Sequence, residues 1–160
     1  MRVGQGFDVH RFASDPSRRL MLGGVEIEGG RGLIGHSDAD VVAHALADAV
    51  LGAAGLGDLG THFPDTDPTL AGADSLALLA TTVELAGAAG WQPVNADLTV
   101  IAEEPRLAPF VPAMAGALEA VLGAPVSVKA TRGEGLGAIG RAEGIACLAV
   151  VLLERSDGRS

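Results

Sequence analysis

Val3-Gly4-Gln5-Gly6-Phe7-Asp8-Val9-His10-Arg11-Phe12 alternates residue by residue along the start of the chain. A period of two is the mark of a strand, so Asp8 and His10 leave the same face. Working outward, Leu20 to Glu28 reads as two short strand pieces broken at Gly23-Gly24, expected to form a hairpin with the first strand. Residues 29–35 carry four glycines in seven positions and are expected to form a mobile loop. A helix follows, with Ser37 as its N-cap and Asp40 at the second position of a capping box. Its apolar stripe is Val42, Ala45, Leu46, Ala49, Val50 and Ala53.

The rest of the chain continues the mixture. Residues 55–67 read as loop or short helix, and 75–89 as a helix capped near Asp74. A strand is predicted over 94–102, then a helix over 105–122 with Pro105 in its first turn. Strands follow at 126–131 and 144–154, separated by a glycine-rich loop over 131–140. This order predicts an α/β fold, in detail an α+β arrangement with a mixed sheet packed on helices. One domain spans 1–154, and 155–160 form a polar tail.

Hydrophobic residues make up 48% of the 160, which supports a packed core, but there are only one Trp, four Phe and no Tyr. So lean a core leaves room for subunit contacts to add stability. The net charge is −9, with ten arginines and one lysine, Lys129. Nucleic-acid binding needs a basic face and is excluded by this balance. A phosphorylated substrate would need a local positive source, such as a metal ion or a helix N-terminus. The single cysteine, Cys147, lies in the nine-residue apolar run Ile145 to Leu153 and reads as a buried structural thiol. That run is far short of the ~20 residues that span a bilayer, and Met1 to Gln5 is not a signal peptide, so a cytoplasmic protein with no membrane partner is expected.

All four histidines, His10, His36, His44 and His62, fall in the first 62 residues. Asp8 and His10 offer a carboxylate and an imidazole from one rigid strand, although the same pattern also suits a surface polar pair. His44 lies opposite the helix stripe, in a row with Asp40 and Asp48. Should that helix cross the first strand, Asp8, His10 and His44 give three N/O ligands with a fourth position open, the pattern of a catalytic zinc. Asp40 or Asp48 would then orient the His44 ring. A solvent-exposed His44 stands as the alternative.

Residues 57–67 combine carboxylates with Gly and Pro and read either as Asx turns or as a loop that binds substrate hydroxyls. Thr131-Arg132-Gly133-Glu134-Gly135-Leu136-Gly137 reads as a plain glycine loop or as a phosphate cradle in which Glu134 holds a hard cation. Arg141 and Glu143 pair at salt-bridge spacing in a polar insertion before the last strand.

Together, Gly6-Phe7-Asp8-Val9-His10, His36-Ser37-Asp38-Ala39-Asp40, Phe63-Pro64-Asp65-Thr66-Asp67 and Gly140-Arg141-Ala142-Glu143-Gly144-Ile145-Ala146 resemble the 2-C-methyl-D-erythritol 2,4-cyclodiphosphate synthase family in order, spacing and context. The resemblance covers the chain to about Glu154. It implies a homotrimer with active sites between subunits, a small-molecule substrate, and ring closure of a diphosphate with release of CMP. It places one zinc ion per subunit on Asp8, His10 and His44, and Mg²⁺ or Mn²⁺ on Glu134.

The resemblance also assigns the substrate contacts. His36, read as catalytic, and Ser37 would meet the erythritol phosphate. Asp58, Leu59, Gly60, Phe63, Pro64, Asp65, Thr66 and Asp67 would line the erythritol pocket. Ala102, Pro105, Arg106 and Ala108, with Thr131 and Gly133, would receive the cytidine diphosphate. Arg141 joins the substrate-binding set, and an isoprenoid diphosphate is an implied ligand of the trimer cavity.

Two positions depart from the family pattern. Arg132-Gly133 stands where threonines are usual, so Arg132 is expected to contact phosphate in place of a transition-state hydroxyl. Ala138 stands where an aromatic is typical. Two other readings of the residues remain: a binding module with structural zinc, and a phosphohydrolase using zinc-bound water.

Overall fold

In the computed structural model, residues 1–64, 66–68 and 72–156 are described. Strand β1 covers Arg2–Arg11, β2 Met21–Leu22 and β3 Val25–Glu26. Helix α1 covers Val41–Ala54, the short α2 Leu59–His62, and α3 Ser75–Ala88. Then come β4 (Trp91–Ile101), α4 (Val111–Leu122), β5 (Val126–Thr131), the short α5 (Gly137–Gly140) and β6 (Gly144–Arg155). A four-stranded mixed sheet, in the order β1-β6-β4-β5, carries α1, α3 and α4 on one face. Only β4 and β5 run parallel, joined through α4 as a parallel pair requires.

The expected hairpin between β1 and the 20–28 segment does not form. β1 pairs antiparallel with β6 along its whole length, from Arg2↔Leu153 to Arg11↔Gly144. The β2 and β3 pieces, two residues each, pair with one another instead. A ten-residue ladder with an apolar strand outcompetes any pairing that such short pieces can offer.

Helix α1 begins later than Ser37 would have it. Ala39 sits at φ 60°, a left-handed conformation that cannot belong to the helix, and Asp40 is the N-cap. The Asp40 carboxylate is fully buried and accepts from four backbone N–H groups: Val42 (3.0 Å), Ala43 (3.1 Å), Gly23 (2.8 Å) and Gly24 (2.7 Å). It therefore caps α1 and ties the β2–β3 turn to it. Burial raises the Asp40 pKa against these donors.

Once started, α1 is buried almost all round, beyond the predicted stripe; Val41, Ala43 and Leu51 are fully enclosed as well. It approaches β1 very closely. A Cβ at Gly6 would lie 1.8 Å from the Ala45 carbonyl oxygen, and one at Gly4 1.9 Å from that of Ala49. Glycine on the strand opposite alanine on the helix makes this contact possible.

Helix α4 starts at Val111, six residues after Pro105, with Phe110 as a cap that makes no side-chain bond. Pro105 and Pro109 hold the residues before them out of the helical region, and Pro112 takes the second helical position instead. At the other end, Arg155 belongs to β6, and its guanidinium and that of Arg2 each lie 4.5 Å from the Trp91 ring centroid. Residues 157–160 of the predicted tail lie outside the described residues. Cys147 is fully buried, as expected, and burial pushes its thiol well up. No helix among the described residues is long and apolar enough to cross a membrane.

Candidate active site

The close approach of α1 to β1 delivers the chemistry. Along one face of β1 run Gly4, Gly6, Asp8 and His10; the glycines admit α1, and the next position brings Asp8 beside His44. Asp8 Oδ2 lies 3.1 Å from His10 Nε2 and 3.1 Å from His44 Nδ1. The two imidazole rings stand edge to face, 5.7 Å between centroids. One donor atom from each of the three residues falls within 4.8 Å of the others.

Burial alone would raise Asp8, but bonds and charge from His10 and His44 outweigh it and hold the carboxyl well below the usual range. Burial likewise opposes protonation of His10, yet Asp8 overrides it and raises that imidazole. The carboxylate and the imidazole thus favour each other's charged forms, as a close Asp–His pair does. One oxygen and two nitrogens, converging from rigid elements, fit a borderline-soft divalent ion, and a protein fourth ligand is absent among the described residues.

The cluster sits in an open cavity of about 590 Å³ whose lining includes Gly35, His36, Ser37, Asp48, Leu59, Gly60, Phe63, Pro64 and Leu78. His36 Nε2 donates to the Asp67 carbonyl at 3.0 Å, which ties the 35–37 loop to Asp67. Asp58 is not in the lining; it caps α2, accepting from Thr61 N at 2.8 Å and Thr61 Oγ1 at 2.7 Å. Thr66 and Asp67 flank the cavity without lining it, and Asp65 lies outside the described residues.

The expected orienting role of Asp40 fails, because its carboxylate is spent on backbone donors. Asp48 accepts from Leu59 N at 2.7 Å and so positions α2 rather than the ring. The atoms that meet His44 on its far side are Ser75 Oγ (2.8 Å) and Ser37 Oγ (3.1 Å). Ser75 was visible in the sequence only as the start of a helix. Arg18, also missed, donates to the carbonyls of Gly35 (3.0 Å) and Ser37 (2.8 Å) and holds the loop that carries His36. No spacing signal links residues 17 and 19 positions apart in irregular chain.

A second cavity, about 500 Å³, is lined by Ala102, Glu103, Pro105, Arg106, Leu107, Ala108, Ala130, Thr131 and Arg132. It shares no lining residue with the first. The Arg132 guanidinium is bonded to Glu103, whose carboxyl this pairing lowers, so the arginine expected to meet phosphate already has an anionic partner. Gly133 and Glu134 lie just outside the lining, Glu134 exposed and at φ 52°. Arg141 is in neither cavity; its Nε donates to Glu143 Oε1 at 2.7 Å.

An open N/O donor set in a cavity on a two-layer α/β fold fits a metal-dependent enzyme. The sequence pattern of the YgbB family matches residues 1–154. The 2-C-methyl-D-erythritol 2,4-cyclodiphosphate synthase of Symbiobacterium thermophilum is 58% identical over 96% of this chain and 98% of its own length. The bifunctional enzyme IspD/IspF of Anaeromyxobacter dehalogenans is 56% identical over 98% of this chain and 40% of its own length. Among solved structures, the bifunctional IspDF of Campylobacter jejuni superposes with a TM-score of 0.91 at 44% identity, over 96% of this chain and 42% of that one. A Plasmodium falciparum IspF in complex with CDP superposes with a TM-score of 0.83 at 32% identity, over 98% and 97%. The chain belongs to the YgbB family of 2-C-methyl-D-erythritol 2,4-cyclodiphosphate synthases and is a phosphorus–oxygen lyase.

Proposed function

We propose that the protein converts 4-diphosphocytidyl-2-C-methyl-D-erythritol 2-phosphate to 2-C-methyl-D-erythritol 2,4-cyclodiphosphate and CMP, a step of non-mevalonate isoprenoid synthesis in the cytoplasm. An oxygen of the 2-phosphate attacks the β-phosphorus. The bond from that phosphorus to the bridging oxygen breaks, and CMP departs with the oxygen and its electron pair. The observation that carries the reading is the convergence of Asp8, His10 and His44 within one open cavity.

The substrate brings its own nucleophile, so the chain's task is to bend the substrate, hold it and screen its charge. Zinc on Asp8, His10 and His44, with Mg²⁺ or Mn²⁺ on Glu134, would supply the positive charge that the β-phosphate and departing CMP require. His36 and Ser37 present polar groups to the 2-phosphate at the cavity mouth. Leu59, Gly60, Phe63 and Pro64 enclose the erythritol and keep water from the reacting phosphorus, with Asp58, Thr66 and Asp67 nearby. The second cavity takes the cytidine diphosphate, with Ala102, Pro105, Arg106 and Ala108 against the nucleoside and Thr131 to Gly133 against the phosphates.

Two cavities that share no lining residue suggest completion by a neighbouring subunit. The sheet face away from the helices supports this: Val3, Phe7, Val9, Leu148 and Val150 are all exposed on it. We assign that face to a homotrimer, with Arg141 and Glu143 near its cavity, where an isoprenoid diphosphate would be the ligand.

Product analysis tests the reading. The protein incubated with substrate, zinc and Mg²⁺ should give cyclic diphosphate and CMP by ³¹P resonance, and His44→Ala should lose on the order of a thousandfold in rate. Linear phosphates would make the protein a hydrolase, and no turnover would make it a binding module.

A further inference from the structure

Ser75, the first residue of α3, is 1% exposed. Its hydroxyl meets Asp38 Oδ1, His44 Nε2 at 2.8 Å and Ser37 Oγ at 3.3 Å. A hydroxyl has one hydrogen to give, and a carboxylate only accepts. Asp38 is committed to accepting: Oδ2 takes the Ser75 backbone N–H at 3.2 Å and Oδ1 takes that of Asp40 at 3.2 Å. The Ser75 hydrogen therefore goes to Asp38, which leaves the Ser75 oxygen as acceptor for His44 Nε2–H.

With the ring proton on Nε2, the other nitrogen carries a lone pair. That nitrogen, Nδ1, is the one 3.1 Å from Asp8 Oδ2. We infer that Ser75 is a positioning residue for His44: backed by Asp38, it keeps the ring proton on Nε2 and aims the Nδ1 lone pair into the Asp8–His10 cluster, where a divalent cation binds. The inference rests on the metal reading above. The partner a ring nitrogen finds on its outer side sets which nitrogen is free to ligate. His10 also turns one ring nitrogen toward that carboxylate, Nε2 lying 3.1 Å from Asp8 Oδ2.

Helix capping does not account for the Ser75 hydroxyl. The cap of α3 is Asp74, which accepts from Leu76 N at 2.9 Å. Ser37 also reaches Nε2, at 3.1 Å, but its oxygen takes the Ala39 N–H as well, and it lines the cavity where Ser75 does not. Ser75 is thus the resident partner of the ring, which leaves Ser37 available to substrate.

The test is equilibrium zinc binding to the full chain by competition with a chromophoric chelator. Ser75→Ala should weaken zinc about 10- to 100-fold, and Ser75→Thr, which keeps a hydroxyl, should stay within about threefold of the parent. Asp38→Asn should weaken it too, because an amide can donate to Ser75 and release the Ser75 hydrogen toward Nε2. In zinc-loaded parent protein, long-range ¹H–¹⁵N spectra should show His44 protonated on Nε2 and coordinated through Nδ1. Coordination through Nε2, or a folded Ser75→Ala variant that binds zinc as the parent does, overturns the inference. Failure of the parent to bind zinc overturns the metal reading and this one together. Should Ser75→Ala not fold, the parent spectrum alone decides.

Discussion

At the scale of single residues, the second cavity holds a conflict of charge. Arg132 is the cation nearest the glycine loop, and Glu103 has claimed it. A diphosphate entering beside Thr131 must share the guanidinium with that carboxylate and tolerate it as a neighbour. Glu103→Gln keeps the shape and a hydrogen-bond acceptor but removes the charge. Its expected effect is a CDP dissociation constant roughly two- to fivefold lower, modest because the Arg132 guanidinium is largely exposed and screened by solvent. Calorimetric titration with CDP checks this; weaker binding would mean that Glu103 serves the nucleotide, for instance through a cation. The sequence displayed Arg132 but not its partner, since the two lie 29 positions apart and meet only because β4 and β5 pair in parallel. Asp8, His10 and His44 were legible as donors because strand and helix periodicities fix which way each points. Ser75 was not, because what matters there is the direction of one hydroxyl hydrogen.

At the scale of elements, the β1–α1 contact sets the whole donor geometry. Ala45 and Ala49 face Gly6 and Gly4 so tightly that an added Cβ would meet a carbonyl oxygen, a backbone atom that cannot swing aside. Gly6→Ala must push the helix away from the strand, which draws His44 from Asp8. Stability should fall by about 1–3 kcal/mol or more in urea unfolding. Zinc affinity should fall further than that of Gly116→Ala, a helix position where nothing lies within 4 Å. Equal zinc affinity in the two variants would show that the donor set does not depend on this spacing.

The same elements show what a one-dimensional reading reaches. The strand at 126–131 and the helix from 75 were read closely, because local alternation and a local cap define them. The pairing of β1 with β6 was not, since it joins residues some 140 positions apart. The start of α4 was misplaced because Pro105 suits a helix start as well as it suits the loop it occupies.

For the whole molecule, the sheet has one face under helices and one left bare. On the bare face the register sets Phe7 beside Leu148 and Gln5 beside Val150, while β4 and β5 contribute Asp97 and Lys129, joined as an ion pair. An apolar strip of this kind, bordered by charge, suits the chain–chain interface proposed above. Leu148→Glu places a carboxylate within that strip and leaves every donor residue alone. The parent should sediment at three times the chain mass and the variant as a monomer. The monomer should still bind one zinc, since Asp8, His10 and His44 come from one chain, yet lose nearly all turnover on the proposal that a neighbour's nucleotide cavity completes each site. Each chain carries −9, so the proposed assembly works against repulsion, and added salt should strengthen it by screening. A parent that turns over fully as a monomer would place both cavities' work within one chain and remove the reason for the bare face to be apolar.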